Sequence, residues 1–239
     1  MLNEVKLNRN IMLSEISRKI LTDLLNRISS NETANVRIIV ALFHKSLDLF
    51  DSILTLQKLE QMETAQALVR CIFEVNLKFG ELITITDEKG KQYASGLVAD
   101  SLMLIKARDA LEQGALSEDD KDFKQAIEQI KAKYNKTELA SIKKYGFIMM
   151  QLDQLARKDG KIDWYNGMYR SFSRNIHSHD LTEYLVKQNG LNTPELLANN
   201  SNRDSMSLDC SFMSLQQIVV YVDQIFRLGY SKELNSILQ

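Results

Sequence analysis

The sequence has few residues that interrupt a helix. Its 239 residues include nine glycines and a single proline, Pro194. Because proline breaks or bends a helix and glycine weakens it, a chain this poor in both favours long uninterrupted helices. No pair of short alternating apolar segments joined by a turn dipeptide indicates a β-hairpin.

Cysteine clusters and other cofactor patterns are also missing. The two cysteines, Cys71 and Cys210, lie far apart, each within an apolar helical pattern, which predicts reduced thiols packed in the core. The sequence contains no His-x-x-x-His pair, phosphate loop or nucleophile elbow. We therefore expect neither a metal nor a cofactor.

Excess charge and long apolar runs are absent as well. The formal net charge is −1, which excludes a basic field over the whole protein, so any RNA contact must depend on a local basic patch. No apolar run approaches the roughly 20 residues that span a bilayer. The polar N-terminus lacks the apolar core of a signal peptide. We expect a cytoplasmic protein without a membrane partner.

Apolar residues recur at helical spacing through most of the chain. One face of the second predicted helix consists of Val36, Ile39, Val40, Phe43, Leu47 and Phe50. Residues 181–207 differ, because they are rich in Asn, Ser and Asp and contain the proline, and they predict a long polar loop. The predicted fold is all-α: a single-domain multi-helix bundle over residues 1–239, with this loop before closing helices at 208–239.

Two of the three histidines lie in the segment Arg-Asn-Ile-His-Ser-His (residues 174–179), here called RNIHSH. A helix beginning near Trp164 delivers it, with Met168 and Phe172 continuing an apolar strip. Arg174 and His177, three positions apart, can converge on one ligand. Arg174 and His179 are separated by roughly 140° on a regular helix and meet only if the helix ends or bends near Ser178. The polar side of the helix consists of Asn166, Arg170, Ser173, Arg174 and His177.

The residue types in RNIHSH suit the cleavage of RNA by its own 2′-hydroxyl. That reaction needs a base, an acid and cationic donors for the phosphate. Histidine can move the protons and arginine can clamp the phosphate, with Arg170 as a second cation one turn earlier. The same residues also fit a solvated helix end, where Arg and His interact favourably with the helix dipole.

RNIHSH resembles the signature of HEPN ribonucleases, all-helical proteins found in toxin–antitoxin pairs, abortive infection and antiviral defence. The resemblance implies a homodimer that cuts RNA without metal, and an antitoxin or sensor protein as a further partner. It implies that Arg174 stabilises the phosphate, that His179 or His177 transfers protons and that Asn175 positions the motif.

A second resemblance covers more of the chain. The segment AQALVRCIFEVNLKF (residues 65–79) and the later YRSFSRNIHSH (residues 169–179) look like a bacterial helical family of unknown function with Arg-x-x-x-Glu and Tyr-x-x-x-Ser-x-x-x-His segments. Arg70 and Glu74 fit the first segment, and Tyr169, Ser173 and His177 fit the second. These residues are expected to support the site, with Glu74 orienting an imidazole or guanidinium. A simple salt bridge between Arg70 and Glu74 is the alternative.

The leading hypothesis is a metal-independent endoribonuclease that acts as a toxin or defence effector. The alternative is a non-catalytic helical module that binds a protein partner or a small nucleotide. In that case RNIHSH is structural, and the polar loop and the exposed helix faces carry recognition.

Overall fold

The protein folds into a bundle of α-helices, which confirms the predicted fold class. The computed structural model describes residues 2–28, 33–59, 61–114, 121–170, 172–173 and 194–238, and contains no strand within these ranges. The helices are α1 (Leu2–Arg27), α2 (Ala34–Lys58), α3 (Met62–Lys89), α4 (Lys91–Glu112), α5 (Lys121–Lys133), α6 (Lys136–Tyr145), α7 (Leu152–Lys158), α8 (Ile162–Trp164), α9 (Pro194–Phe226) and α10 (Ser231–Leu238). A 3-10 turn spans Gly146–Ile148 and a π-helical turn spans Tyr165–Tyr169. No described helix is both long and apolar enough to cross a membrane.

Helices α2 and α3 form the centre of the bundle. The two helices pack against each other, and each of them also packs against α4 and α9. Helix α1 packs against α2 and α9. Their phenylalanines Phe43, Phe50, Phe73 and Phe79 are completely buried. Because burying one such side chain stabilises a fold by about 1.5–3 kcal/mol, this central pair holds a large share of the core.

Gly90 makes the connection between the two long helices α3 and α4. It is the single residue between them and has a φ of 87°. Side chains with a Cβ disfavour that region, whereas glycine enters it freely. The glycine therefore lets the chain reverse without a longer loop.

The structure corrects the extent of the predicted polar loop. Helix α9 begins at Pro194, so residues 194–207 are helical, and the remaining part of the predicted loop, 181–193, lies outside the described residues. Proline suits the first turn of a helix, where its fixed φ is compatible and no N–H is needed. The Asn and Ser residues that follow each cost less than about 0.7 kcal/mol in a helix.

The structure also corrects the expected burial of one cysteine. Cys210 is buried on α9, and burial together with the nearby Asp209 charge raises its thiol pKa to about 12. Cys71 is exposed and free. It lies one position before the buried Ile72. Because successive residues on a helix turn by about 100°, Cys71 points away from the side of α3 that faces the core.

Candidate functional site

RNIHSH, the centre of the sequence prediction, lies outside the described residues. This applies to Arg174, Asn175, His177 and His179 alike. The structure does describe the segment that leads to the motif, which is α8, the π turn Tyr165–Tyr169, Arg170, and residues 172–173. The structure therefore shows the residues that precede the motif and their contacts with the core, and not the motif itself.

The predicted two-sided character of this segment is confirmed where it is described. Met168 and Phe172 are buried and Trp164 is half-buried against the core, as the apolar strip requires. Asn166 and Arg170 are exposed on the other side. Arg170 makes no ion pair with any residue in the described ranges.

The π turn brings two aromatic side chains onto one ring of α3. The Phe73 ring lies 6.5 Å from the Trp164 ring and 6.1 Å from the Tyr169 ring, between centroids. Trp164 and Tyr169 are five positions apart, which on a regular α-helix would separate them by about 140°. The wider π turn, in which Arg170 N–H donates to the Tyr165 carbonyl, lets both face Phe73.

Three polar side chains meet at the same place, and we name Arg70, Glu74 and Tyr169 the Glu74 cluster. The Tyr169 hydroxyl donates to Glu74 Oε1 at 2.7 Å, and Arg70 Nε lies 3.4 Å from that oxygen. The Arg70 guanidinium carbon stands 4.6 Å from the centre of the Tyr169 ring, within cation–π range. The structure thus brings together three of the four residues expected to support the site.

The electrostatics of the Glu74 cluster keep Tyr169 protonated. Burial raises the pKa of its hydroxyl, and the hydrogen bond to the Glu74 carboxylate raises it further, against the opposing effect of Arg70. Burial alone would lower the pKa of Arg70, but contacts with Tyr169 and Glu74 outweigh it and the pKa is raised. Tyr169 is therefore a hydrogen-bond donor here and is unsuited to act as a general base.

Ser173, the fourth residue of this group, forms its hydrogen bond within its own helix. Its hydroxyl donates to the Tyr169 carbonyl at 2.7 Å. A serine that bonds back by one turn satisfies itself locally and can bend the helix slightly. Within the described residues no group of three His, Cys, Asp or Glu side chains is arranged to hold a metal.

Two lysines that sequence reasoning missed attach the preceding turn to α3. Lys158 Nζ lies 2.8 Å from Glu81 Oε2, and the Glu81 side chain is almost fully buried. Lys161 Nζ donates to Asn76 Oδ1 at 2.6 Å. Each lysine is at least 77 residues from its partner, so only the Asp159-Gly160 turn between them was visible in the sequence.

The fold and this cluster define an all-α protein whose central helix α3 holds a polar and aromatic segment against its side. The model of a Family of unknown function (DUF5677) matches residues 36–192, more than half of the chain, and the chain belongs to that family. The matched range includes the Glu74 cluster and RNIHSH. Comparison with curated proteins and with solved structures found no match.

The helices outside the matched range belong to the same core. Helix α9 packs on α2 and α3, and its Ser214 carbonyl accepts a hydrogen bond from Asn76 Nδ2 at 3.0 Å. Helix α1 is joined to α9 by ion pairs of Lys6 and Arg9 with Asp209. The core around the family segment therefore includes helices that precede and follow the matched range.

Proposed function

We propose that the protein is a metal-independent endoribonuclease of the HEPN type, acting as a toxin or antiviral-defence effector. It would work in the cytoplasm as a homodimer, with RNA as substrate and an antitoxin or sensor protein as a further partner. The observation that carries the proposal is the composition of RNIHSH, which offers one arginine and two histidines directly after a segment anchored to α3.

Two features of the described residues support this proposal. Arg170 precedes Arg174 by four positions in the sequence, is exposed, and has no ion pair within the described ranges, so it can add a second cation for a phosphate. The Glu74 cluster holds the same segment on α3 through a hydrogen bond and a stacked guanidinium. An anchored segment limits the motion of the groups that it carries.

The proposed reaction is an internal phosphoryl transfer. One histidine, His179 or His177, removes the proton from the 2′-hydroxyl, whose oxygen attacks the adjacent phosphorus and forms a cyclic phosphate. The bond from phosphorus to the 5′-oxygen breaks, and that oxygen takes a proton from an acid group. Arg174 stabilises the charge on the phosphate, Arg170 assists in binding, and Asn175 positions the motif.

The test is incubation of the purified protein with total RNA in EDTA. Arg174→Ala and His179→Ala are each expected to reduce cleavage at least about a hundredfold. This is the usual effect of losing a side chain that donates hydrogen bonds to the phosphate or one that transfers a proton. A substrate with 2′-deoxyribose at the scissile position is expected to resist cutting, because the attacking oxygen is missing.

The chain offers matched control variants for both residue types. His44 is exposed on α2, with Nε2 3.7 Å from Asp48, and Arg108 is exposed on α4 with Asp109 as partner. His44→Ala and Arg108→Ala are expected to cut RNA as the parent does. Equal cleavage by the parent, Arg174→Ala and His179→Ala would contradict the proposal, as would cleavage that depends on an added metal.

One observation favours the second function, a non-catalytic helical module that binds a protein partner or a small nucleotide. Glu74 already accepts a hydrogen bond from Tyr169 and forms an ion pair with Arg70, and such contacts are also those of a structural connection between helices. If the parent protein leaves all RNA intact while its fold is preserved, this second function replaces the first.

A further inference from the structure

The segment 164–170 is held on α3 by contacts that fix its rotation as well as its position. Phe73 receives the rings of Trp164 and Tyr169, while Arg70 and Glu74 engage the ring and the hydroxyl of Tyr169. Positions 70, 73 and 74 lie on one face of α3, because residues three and four apart on a helix are neighbours. Three of these four contacts are made by a single residue of the segment, Tyr169.

The hydrogen bond is the directional contact in this set. Ring contacts tolerate sliding, whereas a bond of 2.7 Å from a phenol to a carboxylate requires a particular direction. The carboxylate that accepts it is charged, which makes the bond stronger than one between neutral groups. The hydroxyl of Tyr169 therefore defines the angle at which the helix passes α3.

We propose that Tyr169 is a positioning residue for the reaction, acting through its bond to Glu74 on the placement of the residues that directly precede RNIHSH in the chain. The inference rests on the proposed nuclease function and names residues that set its geometry. Tyr169 does not touch the substrate in this scheme. Its loss changes how often the catalytic groups are aligned and leaves the affinity for RNA intact.

The experiment measures kcat and KM on a fluorescently labelled single-stranded oligoribonucleotide for the parent, Tyr169→Phe and Tyr134→Phe. Tyr134 is the matched control, because it is part-buried and its hydroxyl donates to a carboxylate at 3.0 Å, but that carboxylate, Asp100, belongs to α4 and not to α3. Tyr169→Phe is expected to lower kcat between about tenfold and a hundredfold with KM unchanged. Tyr134→Phe is expected to keep both constants.

A second variant keeps the test decisive if Tyr169→Phe does not fold. Glu74→Gln retains an oxygen that can accept from Tyr169 but makes the bond neutral, and a smaller loss of kcat is expected. The double variant is expected to be no slower than Tyr169→Phe alone, because without the Tyr169 hydroxyl there is no bond for Glu74→Gln to weaken. Emission from Trp164, the single tryptophan of the chain, reports whether each variant keeps its packing on Phe73.

The outcomes separate the inference from the proposed function. If the parent cuts the oligoribonucleotide and Tyr169→Phe matches its kcat, the positioning role is overturned and the nuclease stands. Equal losses in Tyr169→Phe and Tyr134→Phe also overturn it, since they indicate general destabilisation. If the folded parent does not cut at all, the proposed function fails and the positioning role fails with it.

Discussion

Deleting Gly167 is expected to leave the protein folded, because this glycine lies in the π turn and acts as its extra residue. It is exposed, and nothing lies within 4 Å of the place where a Cβ would stand. Without it, Trp164 and Tyr169 become four positions apart, about 40° on a regular α-helix instead of about 140° for five. Both rings can then still reach Phe73, and the residues before and after the turn stay in phase.

The magnitude follows from a matched deletion in a regular helix. Gly96 on α4 is also an exposed helical glycine with nothing within 4 Å of a Cβ. Removing it turns every later residue of α4 by about 100° and takes Leu97, Val98 and Leu104 out of the core. At about 1.5–3 kcal/mol for each side chain, that loss approaches the whole free energy of unfolding of a typical domain. Removing Gly167 instead deletes a residue that costs a helix about 1 kcal/mol.

The assay is urea unfolding followed by circular dichroism, with Trp164 emission as a local reporter. The Gly167 deletion is expected to keep the parent's free energy of unfolding or to raise it by about 1 kcal/mol, with Trp164 emission unchanged. The Gly96 deletion is expected to remove most of the cooperative transition.

Two results would refute this reasoning. If the Gly167 deletion loses its unfolding transition as the Gly96 deletion does, the π turn is not a one-residue insertion between helical parts that are in phase. If the Gly96 deletion unfolds like the parent, helix phase does not control burial in α4. If the Gly167 deletion folds but its Trp164 emission shifts toward that of a solvent-exposed tryptophan, the expected contact between Trp164 and Phe73 is the part of the reasoning that is wrong.

Two further predictions concern the titration of buried groups and the accessibility of thiols. Burial and the hydrogen bond to Glu74 raise the Tyr169 pKa above the ordinary value of 10.0, so the folded state holds this proton more tightly than the unfolded state does. The stabilisation is complete below about pH 10 and is lost as the pH rises from there through the folded-state pKa. The free energy of unfolding is therefore expected to fall above about pH 10, and less so in Tyr169→Phe; an equal fall in both would contradict the assignment. A thiol reagent at about pH 8 is expected to modify Cys71 quickly and Cys210 only on unfolding, because Cys71 is exposed and Cys210 is buried with its pKa raised to about 12. If the folded Cys71→Ser variant is still modified quickly, the reagent reaches Cys210, and the assignment of Cys210 to the buried core is wrong.

The candidate site was predictable where its contacts are local. Arg70 and Glu74 are one turn apart, so a salt bridge between them follows from helix geometry. The other partner of Glu74, Tyr169, is 95 residues away. The family resemblance placed both residues near the site but did not predict their contact. Lys158 and Lys161 were missed, since no local spacing indicates that their partners are Glu81 and Asn76.

Two predictions were wrong because each was made from the composition of the local sequence, whereas packing between distant helices decided the outcome. Cys71 was expected in the core because apolar residues surround it in sequence, but burial depends on which side of α3 faces α2 and α9. Residues 194–207 were expected to be a loop because of their polarity and proline. A proline in the first turn is compatible with a helix, and packing of the later part of α9 on α3 favours its continuation.

The sequence by itself determined that this chain is helical and which face of most helices is apolar, because helix phase depends only on residues within a few positions of each other. It also placed one arginine and two histidines in RNIHSH, on which the proposed chemistry rests. The tertiary structure decided that Tyr169 meets Glu74 and that a π turn lets Trp164 share Phe73 with it. Such contacts depend on how distant helices pack, and the geometry of that packing overrides the regular turn of the local chain.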